Sequence, residues 1–116
     1  MRRIKAKVGA RISELVKRAE ATCGILIPEP KAIFNLRGEQ IAGAAYINHW
    51  VVDLNPVIIR LYEDEYIEHT VGHEIAHFVA VAKARSTDIF PHGREWQHVM
   101  KCFGLPPRIS HDYCLQ

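Results

Sequence analysis

The decapeptide Thr70-Val71-Gly72-His73-Glu74-Ile75-Ala76-His77-Phe78-Val79 carries the pattern H-E-x-x-H, and it constrains the chain more than any other stretch. On an α-helix, residues four apart project from one face about one turn from each other, so His73 and His77 can share a single Zn²⁺. Glu74 lies about 100° further round the helix and borders the open side of such a metal. There a carboxylate can take a proton from metal-activated water as the general base of a hydrolase. The surrounding periodicity agrees. With His73 at 0°, Ile67, Val71, Ile75, Phe78, Val79 and Ala82 fall roughly between 120° and 240°, an apolar face opposite the imidazoles. A helix lining a cleft needs that division.

A zinc used in catalysis normally has three protein ligands and a fourth, open position. The longer pattern H-E-x-x-H-x-x-G-x-x-H fails here, because its glycine position is Ala80 and its last histidine position is Lys83. Two candidates for the third ligand follow the helix. His92 stands between Pro91 and Gly93, whose turn chemistry can fold it back over the metal helix, and Glu95 offers a carboxylate at the start of the next helix. Ligand chemistry favours His92 without excluding Glu95. His98 and His111 read as ordinary helix or surface histidines, and His49 as a turn residue.

The rest of the chain supplies a frame of α+β class. Residues ~2–22 form an amphipathic helix with Ile4, Val8, Ile12, Leu15, Val16 and Ala19 on one stripe, stopped at Gly24. Pro28-Glu29-Pro30 forbids helix and starts an extended segment. Strands are expected over ~31–36, 41–47 and 50–54, with turns at Arg37-Gly38 and Asn48-His49, and their spacing suggests a three-stranded antiparallel meander. The second strand is poor in large side chains, which lets another backbone approach closely. Asn55-Pro56 caps a short helix to about Tyr62. Glu63-Asp64-Glu65 opens the zinc-binding helix, which runs to about Ala84, and Gly72 within it marks close packing. A C-terminal helix from the His92 region to Phe103 presents Trp96, Val99, Met100 and Phe103, and ends at Gly104.

Composition limits the classes open to such a chain. A length of 116 residues that are 48% hydrophobic and 24% charged suits a single domain spanning 1–116. No apolar run approaches the ~18 residues of a membrane span, and no signal-peptide h-region is seen. Cys23, Cys102 and Cys114 are scattered without a C-x-x-C pair. That excludes a zinc ribbon built by this chain alone and points to a reducing cytoplasm, with the thiols free and one Zn²⁺ per chain. The net charge of +2 hides an asymmetry: Arg2, Arg3, Lys5, Lys7, Arg11, Lys17 and Arg18 all fall in the first helix. Such a face can make weak, non-specific contact with DNA, although a solvated helix face carries the same charges.

The motifs taken together resemble the SprT-like zinc metalloproteases, the family of bacterial SprT and animal Spartan. The matches run in order: Pro28-Glu29-Pro30-Lys31, Leu54-Asn55-Pro56, His73-Glu74-Ile75-Ala76-His77, Pro91-His92-Gly93-Arg94-Glu95-Trp96 and His111. The resemblance covers about residues 28–116. It implies a zincin-like domain in which a small sheet sits over the metal helix. It also implies that His73, His77 and His92 bind zinc, and that Glu74 is the catalytic carboxylate. In Spartan the family activity is DNA-dependent proteolysis of proteins crosslinked to DNA. Bacterial SprT-type proteins continue into a cysteine-rich zinc ribbon, which is not among these 116 residues.

The expectation is therefore a zinc-dependent endopeptidase acting on protein or peptide, with DNA-associated proteins as one substrate class. Two rivals share the motif. One is a non-proteolytic DNA-associated module that uses the metal for stability, against which the spare carboxylate of Glu74 counts. The other is a zinc hydrolase of non-peptide substrates. Tyr46, Tyr66, Arg94 and Tyr113 are the candidates for stabilising an oxyanion, and each has a structural reading as well.

Overall fold

The amphipathic N-terminal stretch forms helix α1 (Arg2–Arg18) in the computed structural model, which describes residues 1–113. Its stripe of Ile4, Val8, Ile12, Leu15 and Val16 is buried as expected. The helix then widens into one π-turn (Ala19–Cys23) and ends on Gly24, whose φ of 71° is the left-handed conformation a helix stop requires.

Three short strands follow: β1 (Lys31–Ile33), β2 (Gly43–Tyr46) and β3 (Val51–Leu54). They do not form the antiparallel meander expected from their spacing. The order is β1-β3-β2, with β1 parallel to β3 and β2 antiparallel to it. The reason lies in the segment after β1. It continues beside β3, with the Asn35 amide donating to the Asp53 carboxylate at 2.9 Å and the Leu36 amide to the Leu54 carbonyl at 3.3 Å. Only then does the chain pass the end of β3 and return as β2 on the far side.

Asn55 secures that crossing. Its side-chain oxygen accepts from the Val57 and Ile58 amides, capping α2 (Pro56–Leu61) as predicted. Its side-chain nitrogen donates to the carbonyls of Gly38 and Ile41 at 2.8 and 3.2 Å, fixing the crossing loop. One buried asparagine thus serves a helix start and a loop together. Trp50 differs from its expected place in β3: it closes the β2–β3 turn at a φ of 57°, held by its indole N–H donating to the Pro28 carbonyl.

The expected long helix is present in three pieces. A single turn α3 (Glu63–Glu65) leads through a π-turn (Tyr66–Thr70) into α4 (Val71–Ala84). Both flanks of α4 are covered. Val71, Ile75, Phe78 and Val79 are buried, and Ala82 is partly so. Ala76 and Ala80 are buried too, which the apolar-face reading did not anticipate. The last helix, α5 (Arg94–Cys102), buries Trp96, Val99 and Met100, and Gly104 follows with a φ of 72°.

Much of the basic face of α1 is used internally. Arg3 and Lys7 both pair with Glu63, while Arg11 donates to the Ile67 and Glu68 carbonyls and Arg18 to that of Phe103. The N-terminal cations therefore dock α1 onto the start of the motif helix and the end of α5. Among the described residues, no helix is long and apolar enough to cross a membrane.

Candidate metal centre

Helical spacing brings His73 and His77 to one face of α4, and the turn before α5 brings His92 to meet them. The Gly93 amide donates to the Phe90 carbonyl at 3.1 Å, and the Gln97 side chain donates to the His92 carbonyl at 3.0 Å. The three rings form a near-equilateral triangle with centroids 5.0–5.1 Å apart. One nitrogen from each lies within 4.8 Å of the others, and the Nε2 atoms of His73 and His92 are 3.1 Å apart. Glu95 does not join this cluster; its side chain lies near Gly93.

Trp96 underlies the triangle. It is fully buried, its ring lies 4.8–5.8 Å from all three imidazoles, and its indole N–H donates to the His73 carbonyl at 3.1 Å. The pairing of the two histidine motifs in sequence thus has a physical basis, because the tryptophan of the second supports the helix of the first.

The donor chemistry suits a metal. His73 Nδ1 lies 3.1 Å from the Arg108 carbonyl, which can only accept, so the ring proton sits on Nδ1 and the Nε2 lone pair faces the cluster. Burial pushes His73 down to about 4, helped by neighbouring His92, and His77 down to about 3, helped by both other rings. Burial lowers His92 as well. All three are neutral near pH 7, the state in which imidazole is a ligand.

Glu74 lies beside the triangle with Oε2 3.8 Å from His73 Nε2, and it is only 7% exposed. Burial pushes its carboxyl up to about 8. The small-residue strand meets it here. A Cβ built on Gly43 would stand 2.9 Å from Glu74 Cγ, so glycine is what admits the carboxylate under the sheet. The same holds for Gly72, where a Cβ would lie 2.3 Å from the Leu105 side chain.

The segment after α5, whose secondary structure had no assignment from sequence, closes the site. Besides the Arg108 carbonyl, Tyr113 shares a 2.8 Å hydrogen bond with the Thr70 hydroxyl, and His111 Nε2 lies 3.1 Å from the Gln40 carbonyl. These residues line a cavity of about 650 Å³ that reaches His73, Glu74, His77 and His92. A smaller cavity of about 230 Å³, walled by Ala45, Ile47, Ala80 and Ile89, shares Glu74 and His77 with it.

Of the four oxyanion candidates, only Tyr113 lines the larger cavity. Tyr46 donates to Asp53, and buried Tyr66 donates to the Ala42 carbonyl while accepting from the Asn55 amide. Tyr66 therefore braces the loop entering β2, directly before Gly43. The π-turn beginning at Tyr66 was not legible in the sequence, because widening a helix by one residue leaves both flanking patterns intact. Cys114 lies outside the described residues. Cys23, predicted to stay free, lies with His98 and Cys102 in a second cluster.

No solved structure matches the chain. The SprT-like family pattern matches residues 10–111. Protein SprT of Pseudomonas paraeruginosa is 34% identical over 110 residues, covering 94% of this chain and 66% of that protein. Protein SprT of Escherichia coli is 33% identical over 114 residues, covering 97% and 67%. The chain thus spans about two thirds of the length of the curated relatives it matches. The match takes in the three imidazoles, Glu74 and the supporting Trp96, and on that extent and identity the chain belongs to the SprT-like family.

Proposed function

We propose that the chain is a zinc-dependent endopeptidase with a zincin-like architecture. One observation carries this reading: three neutral imidazoles converge beside a buried carboxylate that is not needed as a fourth ligand. A structural zinc site closes its fourth position with a ligand, whereas here the remaining side opens on a cavity.

His73, His77 and His92 would hold Zn²⁺, which supplies Lewis acidity and lowers the pKa of water towards ~7. Glu74 is the general base: it takes the proton of the attacking water and later passes it to the leaving amine. The Arg108 carbonyl and Trp96 keep His73 in one tautomer and orientation.

The substrate reading rests on β2. It is an edge strand whose first residue stands over Glu74, so an extended peptide pairing along it would run past the carboxylate. The apolar walls of the smaller cavity suit an apolar side chain next to the cleaved bond. The exposed cations Arg2, Lys5 and Lys17 add weak electrostatic contact with DNA, and proteins associated with DNA as a substrate class.

The test compares wild type with Glu74→Gln. The variant should keep its zinc after dialysis and keep its fold, while cleavage of unfolded casein falls by at least about 10²-fold. Undiminished cleavage would overturn the mechanism. Hydrolysis of small esters without any of casein would favour the non-peptide hydrolase, and DNA binding without hydrolysis the non-proteolytic module.

A further inference from the structure

Cys23, His98 and Cys102 converge about as closely as the three histidines, where α5 packs against the end of α1. One donor atom from each lies within 4.8 Å of the others. Cys23 comes from the π-turn that ends α1, and His98 and Cys102 stand one turn apart on α5. Cys23 and Cys102 are 79 positions apart in the chain, so the expectation that the thiols hold no metal had no means of seeing them meet.

From this juxtaposition we propose a second metal site, in which Cys23, His98 and Cys102 bind a thiophilic divalent cation such as Zn²⁺. Two thiolates and an imidazole are a donor set that selects such a cation over Mg²⁺ or Ca²⁺. The distances agree with tetrahedral coordination. His98 Nε2 and Cys102 Sγ are 3.6 Å apart. Zn–N and Zn–S bonds of about 2.0 and 2.3 Å at a tetrahedral angle separate their donor atoms by about 3.5 Å.

The surroundings act on the Cys23 thiol in both directions. Lys83 donates to the Cys23 carbonyl at 2.7 Å and brings a positive charge close to the Cys23 thiol. Burial pushes the Cys23 thiol up to about 11, so it stays protonated at neutral pH without a cation. Binding one divalent cation therefore displaces the Cys23 thiol proton as that sulfur becomes a ligand. Cys23 is buried, Cys102 half-buried and His98 exposed, so the fourth position faces solvent. The site would pin the end of α1 to α5, the helix that carries Trp96, and its role is that of a staple.

Cobalt substitution distinguishes the two centres, because the three-histidine site contains no sulfur and gives no thiolate-to-cobalt charge-transfer band. Titrating the metal-free, reduced protein with Co²⁺ should yield about two bound ions per chain and such a band. His98→Ala and Cys102→Ser should each weaken or remove the band and one ion, while His92→Ala should leave the band intact. Zinc should still raise the Tm of His92→Ala, whose cysteine site is intact, and should not raise that of the double variant His92→Ala, Cys102→Ser. His98 is exposed, so its loss is tolerated by the fold even if Cys23→Ser is not. Binding of a single ion without a thiolate band would overturn the proposal. So would a band that Cys102→Ser leaves at full intensity, or one that depends on Cys114 and not on Cys102.

Discussion

The indole N–H of Trp96 donates to the backbone carbonyl of His73 at 3.1 Å, tying the first residue of H-E-x-x-H to the last of H-G-x-x-W. The bond explains why these two patterns occur together. The ring also fills the space beneath all three imidazoles. Trp96→Phe should therefore cost about 1–3 kcal/mol of stability, from the missing hydrogen bond and the void. It should also weaken zinc retention, because the imidazoles lose their support. Denaturant unfolding and zinc content after dialysis, measured on the same preparation, check both.

His92 and Glu95 were both open as the third ligand on sequence grounds, and only His92 meets the other imidazoles. His92→Ala should lose zinc from this centre, with proteolysis falling in parallel. Glu95→Ala should retain it. Because the second site also takes up zinc, the comparison is made in a Cys102→Ser background. Zinc lost from Glu95→Ala but kept in His92→Ala would reverse the assignment.

Gly43 leaves room for Glu74, and adding one methyl group is a clean way to disturb the base alone. The new Cβ would lie 2.9 Å from Glu74 Cγ, so the carboxylate must shift. Displacement by about 1 Å can cost 10²-fold in rate, so Gly43→Ala should lose roughly that much casein cleavage. Zinc content should stay at the wild-type level. A fully active Gly43→Ala would show that Glu74 does not need this position.

Glu63 gives a pH signature remote from the metal. Hydrogen bonds from Arg3 and Lys7 hold its carboxyl down to about 2, below the ordinary value of 4.5. A depressed carboxyl stabilises the fold above its unfolded pKa, and the contribution fades as pH falls through the folded one. Glu63→Gln should therefore lower Tm at pH 7, and the difference from wild type should shrink between about 4.5 and about 2. A difference independent of pH would mean that the pairing with α1 carries no net stability.

The same ion pairs and hydrogen bonds decide how DNA binding can be tested. Arg3, Lys7, Arg11 and Arg18 are committed to internal partners, so reversing them disturbs the docking of α1. Arg2→Glu with Lys17→Glu is the informative pair, as both side chains are exposed. Affinity should drop, and the salt slope should flatten by about 1 for each phosphate no longer neutralised. Unchanged affinity would remove α1 as the DNA-binding face.

Local chemistry made a large part of this protein legible before any fold was known. The buried stripe of α1, the Asn55 cap, the stops at Gly24 and Gly104, and the one-turn spacing of His73 and His77 depend on residues within about one helical turn of each other. The choice of Glu74 as the spare carboxylate follows from the same spacing. Other features depend on meetings across the chain. The order β1-β3-β2 comes from a loop that stays beside β3 before turning back, a choice that alternation along each strand cannot express. The proton on His73 is set by the carbonyl of Arg108, and a carbonyl carries no mark of residue type. Cys23 meets His98 and Cys102 only because α5 packs against the end of α1. Side-chain chemistry and short-range geometry are written into neighbouring residues, whereas partners brought together by packing become visible only when the whole core has closed.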